Sequence, residues 1–443
     1  MFKNVIYFSL PYLLSYFLQT LYGMADLFMI GQFEGVASTT AVSVGSQVMH
    51  MLTVMIVGLA MGTTVSIGQA VGAGNRKQAA QDIGNTVTLF MAVSVTLMVI
   101  LLVLVRPIVS VMSTPAEASD GTAAYLTIRL IGIPFITAHN IIRSIFRGLG
   151  NSKSPMHFIA VACAANIALD YLFMGALGLG PAGAALGTTL SQAVSVAVSL
   201  AVILKRKSIV LEKSDFRPCR PIMGKILKIG IPVAFQDGLI QIAFIVITII
   251  ANQRGLNDAA AVGIVEKVIS FLFLVPSSML STVSALGAQN IGAGKPGRAV
   301  QTLRYAIMLA AGFGVLATVT VQFIAEPIVA LFTDSSTANG AEVVRFGGQY
   351  LRGYIFDCIF TGIHFSFSGY FCACGKSGLS FLHNIVTIAL MRVPGAYLTS
   401  RLFPTTLFPM GLATATGSLL SVIICLIAFA IIRRKSPFVQ PEG

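Results

Sequence analysis

Five carboxylates stand inside apolar stretches of this chain: Asp26, Asp170, Asp237, Glu266 and Asp357. An ionised side chain at membrane depth costs several kcal/mol by some scales, so such residues are functional by default. Asp26 lies one turn after Tyr22 and fifteen residues after Pro11. That proline removes a helix hydrogen bond, which puts a titratable group and a potential bend on one segment. Asn166 and Asp170 share a helix face at i, i+4 spacing, and Thr188 follows beyond a short glycine-rich turn. Two carboxylates, an amide oxygen and a hydroxyl are hard donors of the kind that suits a small cation. Two neighbouring carboxylates in low dielectric can equally share a proton. The residues support Na+ and H+ alike.

Other residues carry weaker signals. Glu266 and Lys267 are adjacent, so they do not face each other on a helix, and each needs another partner, for which Asp237 or Asp357 is available. His139 and His364 lie in apolar runs and read as packing histidines. The six cysteines lack disulfide or zinc spacing and read as small packing residues. Gly178 to Gly183 satisfies the dinucleotide fingerprint but has no strand before it and a proline inside it. Cys374-Gly375-Lys376-Ser377 resembles the end of a phosphate-binding loop, yet the upstream Gly369 is one residue too far. Neither an HExxH nor a GxSxG motif is present, so metalloprotease and serine-hydrolase chemistry lack their residues. The chain is not expected to be an enzyme or to need a cofactor beyond a coupling ion.

The elements that must position these groups are membrane helices. Of 443 residues, 56% are hydrophobic and 10% charged, far from the roughly 25% charged of soluble domains. A span needs about 20 apolar residues. Apolar runs place spans at 5–31, 38–68, 84–105, 121–148, 155–175 and 183–204, then at 226–252, 259–288, 303–325, 343–373, 378–400 and 409–432. The expected fold is an all-α polytopic membrane protein of twelve helices. Residues 1–204 form an N-lobe, 205–225 an interlobe linker, 226–432 a C-lobe and 433–443 a tail.

The linker region is rich in cations, among them Lys205, Arg206, Lys207 and Lys213, while acids such as Glu34, Glu117, Asp120 and Asp334 fall in loops of the opposite side. The positive-inside bias makes the linker and both termini cytoplasmic in a plasma (inner) membrane. The same bias explains the net charge of +13 without nucleic acid. The first segment has no small-residue cleavage site behind it and is expected to stay as a helix.

The halves repeat. Ser9-Leu10-Pro11 matches Gly230-Ile231-Pro232 at an offset of 221, and Gln69 to Gly74 matches Gln289 to Gly294 at 220. Arg106-Pro107-Ile108-Val109 matches Glu326-Pro327-Ile328-Val329 at 220, and Phe146 to Gly150 matches Phe371 to Gly375 at 225. Six spans per half and a cytoplasmic linker make the repeats parallel, as two lobes related by a pseudo-two-fold axis along the membrane normal.

These segments, with YGMADLFMIG at 22–31, GQAVGAGN at 68–75, NIALDY at 166–171, GAALGT at 183–188 and AQNIGAG at 288–294, resemble the multidrug and toxic compound extrusion family from about residue 8 to 432. The resemblance implies a monomeric efflux antiporter driven by Na+ or H+, exporting small, drug-like, often cationic compounds across the bilayer. It carries the family's N-lobe cation site onto Asp26, Asn166, Asp170 and Thr188, with Pro11 and Tyr22 in support. The C-lobe departs from one branch of the family. Ile240 stands where that branch has a glutamate, and Gly353 where it has a tyrosine. Asp237, Glu266, Tyr354 and Asp357 are the candidates for a second site there. A lipid or lipid-linked oligosaccharide flippase of the same superfamily is the alternative, with Arg129, Arg345, Arg352 and Arg392 available to hold a diphosphate.

Overall fold

A computed structural model describes residues 1–206, 211–333 and 336–435; Lys207, Asp334 and the tail from 436 to 443 lie outside the described residues. The described chain is helical, with no strand among the described residues. In order, the helices are α1 (Phe2–Phe33), α2 (Val36–Gly72), α3 (Arg76–Val103), α4 (Val105–Val111), α5 (Ala116–Ile131), α6 (Ile133–Gly148), α7 (Lys153–Asp170) and α8 (Gly180–Arg206). The second half holds α9 (Arg220–Asn252), α10 (Leu256–Leu272), α11 (Leu274–Gly292), α12 (Pro296–Ala330), α13 (Ala338–Tyr354), α14 (Phe356–Ala373), α15 (Ser377–Thr387), α16 (Val393–Leu402) and α17 (Phe408–Lys435). Two π-helical segments, Tyr171–Ala176 and Ile388–Arg392, follow α7 and α15.

The duplicated motifs act as duplicated stop signals. Gly74 and Gly294 both take positive φ, +71° and +69°, after α2 and α11. In each case the residue after the glycine bonds back five positions, Asn75 to Ala70 and Lys295 to Asn290, which closes the helix in a Schellman pattern. Gly150 and Gly375 repeat the arrangement after α6 and α14. Prolines break the next helices in register. The helical path is interrupted at Leu104, three residues before Pro107, and at Ile324 (φ −120°, ψ 17°), three residues before Pro327. A proline cannot donate to the preceding turn and crowds its carbonyl. By contrast, α1 and α9 continue through Pro11 and Pro232.

Ten described helices are long and apolar enough to cross a membrane, or eleven when the pair α5 and α6, bent by 50°, counts as one span. The expected span at 343–373 is not among them. It falls into α13 and α14 on either side of Ile355, and α13 carries Glu342, Arg345 and Arg352. The twelvefold count is therefore not matched by length and composition alone.

The helices form two compact units, one of Leu14–Ala234 and one of Met1–Leu13 with Phe235–Gly443. In the 14–234 unit, Ile30, Val42, Met49, Leu126, Leu130 and Ala184 build one apolar cluster from α1, α2, α5 and α8. The interlobe segment is docked on α3 of this unit. Asn85 donates to the Asp215 carbonyl at 3.1 Å and accepts from the Cys219 amide at 2.7 Å, while Thr88 donates to the Phe216 carbonyl at 2.8 Å. In the other unit, Ile247, Val265, Val321, Val343, Tyr350 and Tyr354 share a core. There α13 and α17 approach so closely that a Cβ on Gly353 would meet the Phe408 carbonyl, and one on Gly411 the Tyr350 carbonyl. Small residues permit such backbone contact between membrane helices.

Candidate functional site

In the 14–234 unit, α1, α7 and α8 bring four sequence-predicted residues together. Asp26, on α1, is 7% exposed, Thr188 on α8 is 3% exposed, and Asn166 and Asp170 in the last turn of α7 are fully buried. The Thr188 hydroxyl donates to Asp26 Oδ2 at 3.0 Å and also reaches the Ala184 carbonyl at 2.8 Å. The Asp26 and Asp170 carboxyls lie against each other with the Asn166 amide beside both.

Local sequence explains the approach. Gly178 and Gly180 adopt positive φ, 61° and 54°, in the turn that returns the chain from the π-helical segment to α8. Gly187 then faces α7, and a Cβ there would collide with Asp170 Oδ1. The π-helical segment begins at the residue after Asp170, a distortion common at functional sites.

The polar atoms of this cluster are under-satisfied. Asp26 Oδ1, both oxygens of Asp170 and both amide atoms of Asn166 are buried without a hydrogen-bond partner among the described residues. Native structures hold few such groups, and a buried charge without compensation is costly. The oxygens of this set match the hard donors that accept a monovalent cation, and the paired carboxyls can also hold a proton.

Tyr22, half-buried one turn before Asp26, lies near Asp26 and Gln192. Pro11 belongs to the other unit, although it shares α1 with Asp26. Arg129 on α5 is a residue that sequence reasoning left unassigned in this site. It is 5% exposed, its Nε and Nη1 lack partners among the described residues, and its charge acts on Asp26, Asp170, Tyr22 and Tyr125. The signal was available: a cation inside an apolar run is as costly as an acid there.

The second-half candidates do not form a matching cluster. The offset of 221 sets the fully buried Ile247 where Asp26 stands. Asp237 is half-buried, accepts from Gln236 at 3.4 Å and lies toward Cys372 of α14. Glu266 accepts from Thr248 at 3.3 Å, and Lys267 is exposed, so among the described residues neither Asp237 nor Asp357 pairs with it. Asp357 is fully buried with Tyr354 and faces Arg392, not Lys267. His139 is satisfied by Ser195 at 3.1 Å. His364 packs edge-on to His383, with ring centroids 5.4 Å apart.

Comparison with known proteins agrees with this architecture. The MatE family model matches residues 11–172 and 232–398. A "Probable multidrug resistance protein YpnP" of Bacillus subtilis is 28% identical over 392 residues, 88% of this chain and 87% of that protein. The "Probable multidrug resistance protein NorM" of Thermotoga maritima is 25% identical over 410 residues, 90% and 86% of the two chains. Among solved structures, a MOP superfamily transporter from Pyrococcus furiosus superposes with a TM-score of 0.91 at 22% identity, covering 98% of this chain and 97% of that one.

Proposed function

This chain belongs to the MatE family, a family of membrane transporters, and from that premise we propose that it is a secondary antiporter. It exports small amphipathic, often cationic compounds in exchange for Na+ or H+, as a monomer in the plasma membrane with both termini cytoplasmic. The observation that carries this reading is the buried pair Asp26 and Asp170, whose free oxygens converge with Asn166 and Thr188.

Two like charges in contact repel by about 4 kcal/mol at the effective dielectric of a protein. A cation or proton taken up between the carboxyls removes that repulsion, and its release restores it. Asp26 and Thr188 join α1 to α8, so the charge state of the pair bears directly on how these two helices pack. Coupling follows if the ion-loaded and ion-free packings favour opposite sides of the membrane, since an ion can shift an equilibrium only by its differential affinity for the two states.

The flippase alternative needs a surface of available cations. Of the four arginines, Arg345 pairs with Glu342 at 3.8 Å, Arg352 donates to Glu326 at 2.9 Å and Arg392 donates to the Tyr354 hydroxyl at 2.6 Å, which leaves Arg129 by itself rather than a surface of cations. The experiment that tests the antiport reading is drug flux in ATP-free proteoliposomes under separately imposed Na+ and H+ gradients. Gradient-driven flux supports it, and flux that requires ATP contradicts it.

A further inference from the structure

In the second unit both carboxylate oxygens of Asp357 are also buried without a hydrogen-bond partner among the described residues, but here a guanidinium faces the acid. Asp357 is fully buried on α14, and Nη2 of Arg392 lies 3.9 Å from its Oδ2. The same nitrogen donates to the Tyr354 hydroxyl at 2.6 Å. The guanidinium carbon lies 5.0 Å from the Phe244 ring centroid and 5.9 Å from that of Tyr354. Residues of α9, α13 and α14 thus hold one cation, which is presented by the π-helical segment after α15. Stacking together with directed hydrogen bonding is a guanidinium property that an ammonium does not reproduce.

Arg392 also borders a cavity of about 40 Å³ whose lining includes Thr361, His364, Asn384 and Ser418. That space suits a water or two rather than a drug-sized compound. The titratable groups around the pair are Glu266 from α10, Tyr350 and Tyr354 from α13, and Cys358 and His364 from α14. Of the charged groups facing Asp357, Arg392 is the cation among the described residues.

We propose that Arg392 is a tethered cation that stands on Asp357 where a mobile coupling ion stands at Asp26 and Asp170, so that Asp357 is closed to ion exchange. A guanidinium does not deprotonate in proteins, and it cannot diffuse away when the bulk ion changes. A sodium ion approaching Asp357 meets its fixed charge, and a proton competes with an ion pair already formed. Neither carboxylate of the site in the 14–234 unit has a repeat counterpart here, since the offset of 221 sets Ile247 where Asp26 stands and Met391, next to Arg392, where Asp170 stands. The inference makes Arg392 a specificity-determining residue, and it rests on the antiport reading.

The test is the ion-to-substrate stoichiometry. Proteoliposomes are clamped at zero membrane potential, and the limiting substrate ratio is measured against the imposed ion ratio. Arg392→Gln exposes Asp357 and adds one exchanged ion, which at a tenfold ion gradient raises the limiting substrate ratio about tenfold. Should Arg392→Gln fail to fold, Asp357→Asn/Arg392→Gln removes both charges together and leaves no uncompensated partner; its stoichiometry stays as in wild type, with flux per folded transporter within about twofold. A double variant that loses one ion per substrate overturns the inference, as does an Arg392→Gln protein with unchanged stoichiometry. Absence of gradient-driven flux in the wild type sinks the antiport reading itself and takes this inference with it.

Discussion

Thr188 donates its hydroxyl to Asp26 at 3.0 Å across 162 residues of chain. The bond ties α8 to α1 at the one point where a carboxyl from each of α1 and α7 is buried. A hydrogen bond to a charged group contributes about 1.5–3 kcal/mol, so Thr188→Ala is expected to weaken the apparent affinity for the coupling ion by about tenfold or more. Raising the ion concentration should restore flux, and Thr188→Ser should need little rescue. Flux measured over an ion titration distinguishes this from simple instability, which extra ion does not repair.

Gly187 tests the packing behind the site. A Cβ at this position would collide with Asp170 Oδ1, and overpacking of this kind costs about 1–3 kcal/mol. Gly187→Ala should therefore lower both the melting temperature and the flux per folded transporter while leaving every charge in place. Gly263, on α10, has open space at the Cβ position. Gly263→Ala should be neutral or stabilising by up to about 1 kcal/mol.

Asn85 tests the docking of the interlobe segment. Asn85→Ala removes both the donor to Asp215 and the acceptor for Cys219, leaving backbone groups unpaired at about 1–3 kcal/mol. Faster proteolysis between the halves and a lower melting temperature are expected. Unchanged proteolysis would mean that Thr88 and the packing of Gly84 against Asp215 suffice.

Arg129 sits beside the acid pair with unpaired guanidinium nitrogens. Arg129→Gln removes a fixed positive charge that acts on both acids and opposes an incoming cation, so half-saturation by the coupling ion should fall. Arg129→Lys should remain close to wild type in this respect. Ion titration of flux measures both, and equal half-saturation in all three proteins would remove Arg129 from the site.

Much of this was legible because the signals were local. The Gly74 and Gly294 stops, the breaks before Pro107 and Pro327, and the i, i+4 pair Asn166 and Asp170 each depend on neighbours within two turns. What escaped depended on distant partners. Arg392 reads as a cation available to a diphosphate until Tyr354, 38 residues earlier, is seen to hold it. Asn85 is an unremarked amide until the segment 130 residues later docks on it. The span at 343–373 was read from apolar content, and the interruption at Ile355 has no proline or glycine at that residue to announce it. Pairing Lys267 with Asp237 or Asp357 failed for a geometric reason: adjacent residues on α10 point apart, and Lys267 points out to the exposed side.

The central claim, that Asp26 and Asp170 form the exchange site, is tested most directly by substrate flux per folded transporter in ATP-free proteoliposomes, with Asp26→Asn compared to wild type across Na+ and H+ gradients. The substitution preserves shape and removes the exchangeable charge, and a neutral amide is less costly in the membrane than a carboxylate. The protein should therefore fold and insert, while gradient-driven flux falls by about a hundredfold, a loss of roughly 2.7 kcal/mol. An Asp26→Asn transporter with wild-type gradient-driven flux would contradict the account.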